Sequence, residues 1–232
     1  MIMTVSVILV VSGALLVGAV WGIYGRLSKQ TEGGVIALAG GALMLSAVLE
    51  LILPALEEVS IWAALMFVLI GAAVFTGLDY LVDEKWGEDS GGGLLAAITL
   101  DGIPENLALG VALIGVGPLQ VVALSASIFL SNLPEAASGA KQMSAGGRSN
   151  SKVFILWVAT ALILSATALV GNLLLVDTPI WGLSLIKCFA GGAVVASLAT
   201  ELFPQAYRKD AHWAGLNTAI GFILALYLDQ LA

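Results

Sequence analysis

Two short runs of oxygen-bearing side chains interrupt an otherwise apolar sequence. Asp101 and Glu105 are four residues apart in Leu-Asp-Gly-Ile-Pro-Glu-Asn, residues 100–106. Ser131 and Glu135 repeat that spacing in Leu-Ser-Asn-Leu-Pro-Glu-Ala, residues 130–136. A spacing of four puts both members of each pair on one helix face. Asn106 and Asn132 add amide oxygens beside them. Such hard donors suit a divalent cation, Mg²⁺, Mn²⁺ or Ca²⁺ most directly, whereas Zn²⁺ and Fe²⁺ usually recruit His or Cys as well. Pro104 has no N–H for the carbonyl of Leu100, and Pro134 has none for that of Leu130. Each proline is therefore expected to kink its helix and free a carbonyl oxygen beside the acids. The expected metal ligands are Asp101, Glu105, Ser131, Asn132 and Glu135, with Asn106, Glu50 and Glu201 as pathway or secondary groups.

The elements that must position these residues follow from composition. Hydrophobic residues make up 59% of the 232 residues and charged ones only 11%, with a mean hydropathy of +1.03. Soluble domains carry roughly a quarter charged residues, so the chain reads as an all-α integral membrane protein. Period-2 alternation is absent, which argues against a β-barrel. A spanning helix needs roughly 17–25 mainly apolar residues. Eight stretches qualify, near 4–25, 33–56, 60–82, 92–115, 118–142, 153–175, 179–206 and 213–231, in a single transmembrane domain covering 1–232. The first lacks the basic region of a signal peptide and is taken as a spanning helix. Short connections leave no room for a soluble domain. The lone Cys188 excludes an intrachain disulfide.

Eight spans place Arg26, Lys29, Lys85, Lys141, Arg148, Lys152, Arg208 and Lys209 on one face, which should be cytoplasmic. Both termini then lie outside a cell (inner or plasma) membrane. Lys187 alone falls toward the other face, where it is expected to snorkel. Asp83, Glu84, Glu88 and Asp89 form an acidic connector that is expected to be solvated. Asp79 and Asp229, near span ends, are expected to be solvated too. Glu105 and Glu135 lie near mid-membrane, where an unpaired carboxylate costs several kcal/mol or more. The only histidine, His212, sits in a cytoplasmic connection and cannot join them.

The sequence also echoes itself. Ala-Gly-Gly-Ala-Leu-Met-Leu-Ser-Ala-Val-Leu-Glu-Leu, residues 39–51, matches Ala-Gly-Gly-Ala-Val-Val-Ala-Ser-Leu-Ala-Thr-Glu-Leu, residues 190–202, and Pro54 and Pro204 follow. By the span count these helices run in opposite directions, as do the two Pro-Glu helices. The expected plan is a 3+2+3 inverted repeat, an arrangement found in transporters. The small residues of each Ala-Gly-Gly-Ala run are expected to let helices pack closely in lipid.

At these residues the sequence resembles the ZIP (Zrt-, Irt-like protein) family of divalent-metal transporters. Its members carry a His-Asn-x-Pro-Glu-Gly type motif in helix 4 and a His-x-x-Pro-Glu type motif in helix 5. Here those positions read Asp101-Gly102-Ile103-Pro104-Glu105-Asn106 and Ser131-Asn132-Leu133-Pro134-Glu135-Ala136. The eight spans, the outside termini and the inverted plan are similar as well. Residues 201–206, Glu-Leu-Phe-Pro-Gln-Ala, are similar to the helix-7 pattern Glu-x-x-Pro-Glu-Ala, with Gln205 in place of the second acid. The resemblance implies that Glu105 and Glu135 are shared ligands of the transport site. It puts Asp101 and Ser131 where members have first ligands, often His, and Asn132 at a polar second position. Gly102 departs from the family Asn, residues 153–175 hold no acid, and the His-rich connection between helices 3 and 4 is missing.

The expected function is a transporter, not an enzyme, that moves a divalent cation (Zn, Mn, Fe, Cd or similar) into the cytoplasm by alternating access. The metal is substrate, with no prosthetic group. Membrane lipid and the ion are the expected partners, without nucleic acid, and a homodimer is compatible with this. The alternative is a non-transporting metal sensor or scaffold protein with the same fold. An intramembrane hydrolase is disfavoured, since the sequence has neither a nucleophile–base pair nor a His-Glu-x-x-His motif.

Overall fold

The computed structural model describes residues 2–25, 28–86, 91–115 and 118–231, except for the side chains at 83, 85, 86, 91–94, 97, 118 and 119. Arg26, Glu88 and Asp89, and the side chains of Asp83 and Lys85, therefore lie outside the described residues. Those described form helices joined by turns, with no strand among them. The helices are α1 (Ile2–Tyr24), α2 (Lys29–Glu58), α3 (Ile61–Trp86), α4 (Gly91–Ala112), α5 (Val122–Ala145), α6 (Asn150–Leu174), α7 (Ile180–Lys209) and α8 (Ala214–Asp229).

Five of them, α1, α2, α6, α7 and α3 up to Val82, are long and apolar enough to cross a membrane. That makes the chain a multi-pass membrane protein. α2 buries 61% of its most apolar stretch and α3 only 17%, so α2 is central and α3 peripheral. Trp62, Leu65, Met66, Leu69 and Val74 are accordingly exposed on α3, a surface that suits lipid rather than water.

Two boundaries differ from the sequence expectation. α4 stops at Ala112, because the chain turns at Gly115, whose φ of +74° suits a residue without a Cβ. α5 starts only at Val122, after a short 3₁₀ turn at Pro118–Val121. Pro104 and Pro134 lie inside α4 and α5, which continue through them.

The irregular backbone is elsewhere. α2 winds as a π-helix over Ala47–Ile52, and α7 does so over Leu198–Leu202. Pro54 cannot donate to the Glu50 carbonyl, nor Pro204 to that of Thr200. Each helix answers with a wider turn, in which the Leu53 N–H reaches the Val48 carbonyl and the Phe203 N–H the Leu198 carbonyl. Single π turns of this kind interrupt α-helices at functional positions.

Packing divides the helices into two groups. Leu15, Ala19, Ala136, Ala140, Val153 and Trp157 belong to one apolar cluster, against which Leu95 and Ile98 pack, so α1, α4, α5 and α6 adhere. Ala42, Leu45 and Ala225 join α2 to α8, and Ala55, Ala64 and Cys188 join α2 and α3 to α7. A larger cluster, including Ile36, Leu43, Leu109, Leu124, Ile128 and Leu198, lies between the two groups. Neighbours correspond under one exchange of labels. α1 packs on α5 as α6 packs on α4; α8 packs on α2 as α3 packs on α7; α2 packs on α5 as α7 packs on α4. The glycines obey it too. A Cβ at Gly41 would strike the Thr218 carbonyl, and one at Gly192 the Val68 carbonyl, so each Ala-Gly-Gly-Ala run brings two backbones into contact.

Candidate functional site

The acids converge where α4, α5 and α7 meet. A cavity of about 60 Å³ is lined by Ile98 and Asp101 of α4, Glu135, Ser138, Gly139 and Gln142 of α5, and Glu201, Leu202 and Gln205 of α7. That volume holds a few water molecules or a partly hydrated ion. Each wall presents its polar groups at helical spacing. On α5 these are Glu135, Ser138 and Gln142; on α7 they are Glu201 and Gln205, placed by the π turn and the proline after it.

Asp101 is 6% exposed, Glu105 2% and Glu135 8%. Asp101 is within electrostatic reach of Glu135, Glu201 and Asp79, with the Ser197 hydroxyl beside it. Glu105 is within reach of Asp101 and has the Ser131 hydroxyl next to it. Glu135 is within reach of Glu105 and Glu201. Glu105, Asp101, Glu135 and Glu201 thus form one connected group of acids, three of which line the cavity. Oδ1 of Asp101, Oε1 of Glu135 and Oδ1 of Asn106 are buried without a hydrogen-bond partner. Buried polar atoms are ordinarily paired, and unpaired carboxylate oxygens beside a cavity suit a cation. Among the described residues, however, no group of three or more His, Cys, Asp or Glu side chains closes around one point as a finished metal site would.

The other expected residues fare differently. Ser131 Oγ donates to the Ile128 carbonyl at 3.1 Å while facing Glu105. Asn132 Nδ2 donates to the Val11 carbonyl of α1 at 3.5 Å, and Asn106 Nδ2 to the Gly102 carbonyl at 2.9 Å. Glu50 lies apart from the cavity. Its Oε1 accepts from the Leu124 N–H at 2.5 Å. Leu124 is in the first turn of α5, whose N-cap is Val121, a residue with no side-chain acceptor. Glu50 therefore caps a helix on another element, supplying the acceptor that its own N-cap residue lacks. Lys187 is half-buried and within electrostatic reach of Glu50, rather than simply directed to the surface. His212 is exposed in the turn before α8 and does not line the cavity.

Asp79 is the clearest correction. It is 7% exposed, not solvated, and lies near Asp101. An acid inside an apolar stretch was the available signal, the same one that marks Glu105. Ser138, Ser197 and Gln142 escaped the sequence reading, and Gln205 entered it only as a departure from the helix-7 pattern. Their helical spacing from Glu135 and Glu201 was visible, but which faces meet was not.

No family model matches the sequence. A curated relative, the zinc transporter GufA of Myxococcus xanthus, is 30% identical over 138 residues, 58% of this chain and 53% of the relative. The match thus spans about half the relative's length. Over that stretch this multi-pass membrane chain is similar to a protein named a zinc transporter.

Proposed function

We propose that the protein is a ZIP-type transporter that carries a divalent cation of the zinc class into the cytoplasm. The observation that carries this reading is the convergence of Asp101, Glu135 and Glu201, from three helices, on one cavity. Cations are the natural counter-charge for such a group of intramembrane acids. Glu105 and Glu135 are the central ligands and Asp101 takes the place of the usual imidazole. Ser131, Asn132 and Asn106 supply neutral oxygens, and Glu201 receives the ion as it leaves. Glu50 serves the fold more than the ion, as the cap of α5.

In this reading α1–α8 all span the membrane, in a 3+2+3 inverted repeat with both termini outside the cell membrane. The exchange of neighbours across the two halves supports it, as do the paired π turns. The Glu32–Lys209 ion pair, which joins the start of α2 to the end of α7, fits the opposite directions of those helices. The similarity to a protein named a zinc transporter supports the choice of cargo. A non-transporting metal sensor or scaffold protein with the same fold is the second reading, separated from the first by binding without flux.

Purified protein in liposomes loaded with a zinc-sensitive dye tests the proposal. Saturable zinc entry is expected, with Cd²⁺, Mn²⁺ and Fe²⁺ competing and Mg²⁺ competing poorly. Zinc binding without entry points to the sensor, and strong inhibition by Mg²⁺ overturns the assignment of cargo.

A further inference from the structure

Lys209 ends α7 and does more than mark a face of the membrane. Its ammonium group donates to Oε1 of Glu32, in the first turn of α2, and at 2.9 Å to Oγ of Ser138 on α5. Glu32 is 3% exposed and Lys209 21%. The lysine stem crosses Gly33, where a Cβ would collide with Lys209 Cβ, so the glycine makes the crossing possible. Ser138 lines the acid cavity. One ammonium thus ties α2 and α7, from one helix group, to α5, which carries Glu135 in the other.

We propose that Glu32, Lys209 and Ser138 form a clasp that holds the two helix groups together in the state seen here and must open in each transport cycle. Alternating access requires one group to shift against the other, so the inference rests on the transport reading for the purpose of the motion. The physical grounds are independent of it. A buried acid without its counter-ion is costly, so Glu32 favours arrangements that keep Lys209 close. In those arrangements the remaining donor capacity of the ammonium fixes α5 through Ser138. When α5 moves, Ser138 loses that bond first, which leaves the Glu32–Lys209 pair intact within its own group. Lys209 is therefore a positioning residue that biases a two-state motion without touching the ion at the Glu105–Glu135 site.

The test is a distance measurement. Spin labels at Ala145→Cys, on the exposed end of α5, and Tyr207→Cys, on the exposed end of α7, report the separation of the groups in a Cys188→Ala background. Double electron–electron resonance in liposomes should show one dominant population. Glu32→Gln with Lys209→Gln, which removes the charged donor that reaches Ser138, should shift the ratio of populations by roughly tenfold toward a second distance, the scale for losing one hydrogen bond from a charged group. Lys209→Arg should keep the original distribution. Ser138→Ala, which removes the same cross-group bond and leaves the ion pair in place, should move it in the same direction by a similar amount, and it decides the matter if the double variant does not fold. An unchanged distribution in Ser138→Ala together with an unchanged or unfolded double variant overturns the clasp. Zinc entry measured on the same liposomes separates the two ideas. A shifted distribution without wild-type zinc entry defeats the transport reading alone, whereas zinc entry with no shift defeats the clasp alone.

Discussion

At the scale of single residues, an acid in an apolar helix is informative because lipid makes it expensive. That reasoning marked Asp101, Glu105 and Glu135 from the sequence, and the structure brings them to within reach of one another. It would have marked Asp79 as well, had closeness to a span end not been taken as exposure. Asp101 stands where the resembled family often has imidazole, so it should govern which ion is preferred. We expect Asp101→His to raise the ratio of zinc to manganese entry, because nitrogen ligands favour zinc while all-oxygen sites suit manganese; competition between the two ions in one flux assay checks this. Glu201→Gln should lower zinc entry roughly 10–100-fold, the range seen when groups around a metal are lost. Its thermal stability in detergent should remain within a few degrees of wild type.

At the scale of elements, the prolines were legible and their consequences were not. Pro104 and Pro134 leave α4 and α5 continuous. Pro54 and Pro204 follow π turns in α2 and α7, an outcome set by how the surrounding turns rewind rather than by proline content. The role of Glu50 was equally hidden, since its partner Leu124 lies in another helix and nothing local announces the contact. Glu50→Ala should cost about 1–2 kcal/mol through loss of the cap on α5. In a thermal melt of the purified protein, about 1 kcal/mol corresponds to roughly 2–4 °C for a chain of this size. A Glu50→Ala variant that melts like wild type would contradict the capping role. The glycine contacts make a paired prediction. Gly41→Ala and Gly192→Ala each push a Cβ into a carbonyl on a neighbouring helix. Each should destabilise by about 1–3 kcal/mol, and the two should fall close together because their surroundings correspond.

At the scale of the whole molecule, membrane character was the most legible feature, because 59% hydrophobic and 11% charged residues exclude a water-soluble core and surface. The internal echo was legible too, since Ala39–Leu51 and Ala190–Leu202 match by eye. Its three-dimensional consequence was not, because which helices touch depends on faces that a one-dimensional repeat does not rank. Division into two groups, with the acid cavity where α4 and α5 of one meet α7 of the other, gives transport a physical form. The central claim is that the carboxylates at Glu105 and Glu135 carry a divalent cation across the membrane. Zinc entry into liposomes containing wild-type protein or the Glu105→Ala, Glu135→Ala double variant, with matched amounts of folded protein, tests it most directly. The account predicts saturable entry for the wild type and entry no faster than protein-free liposomes for the double variant; wild-type rates in the double variant would contradict it.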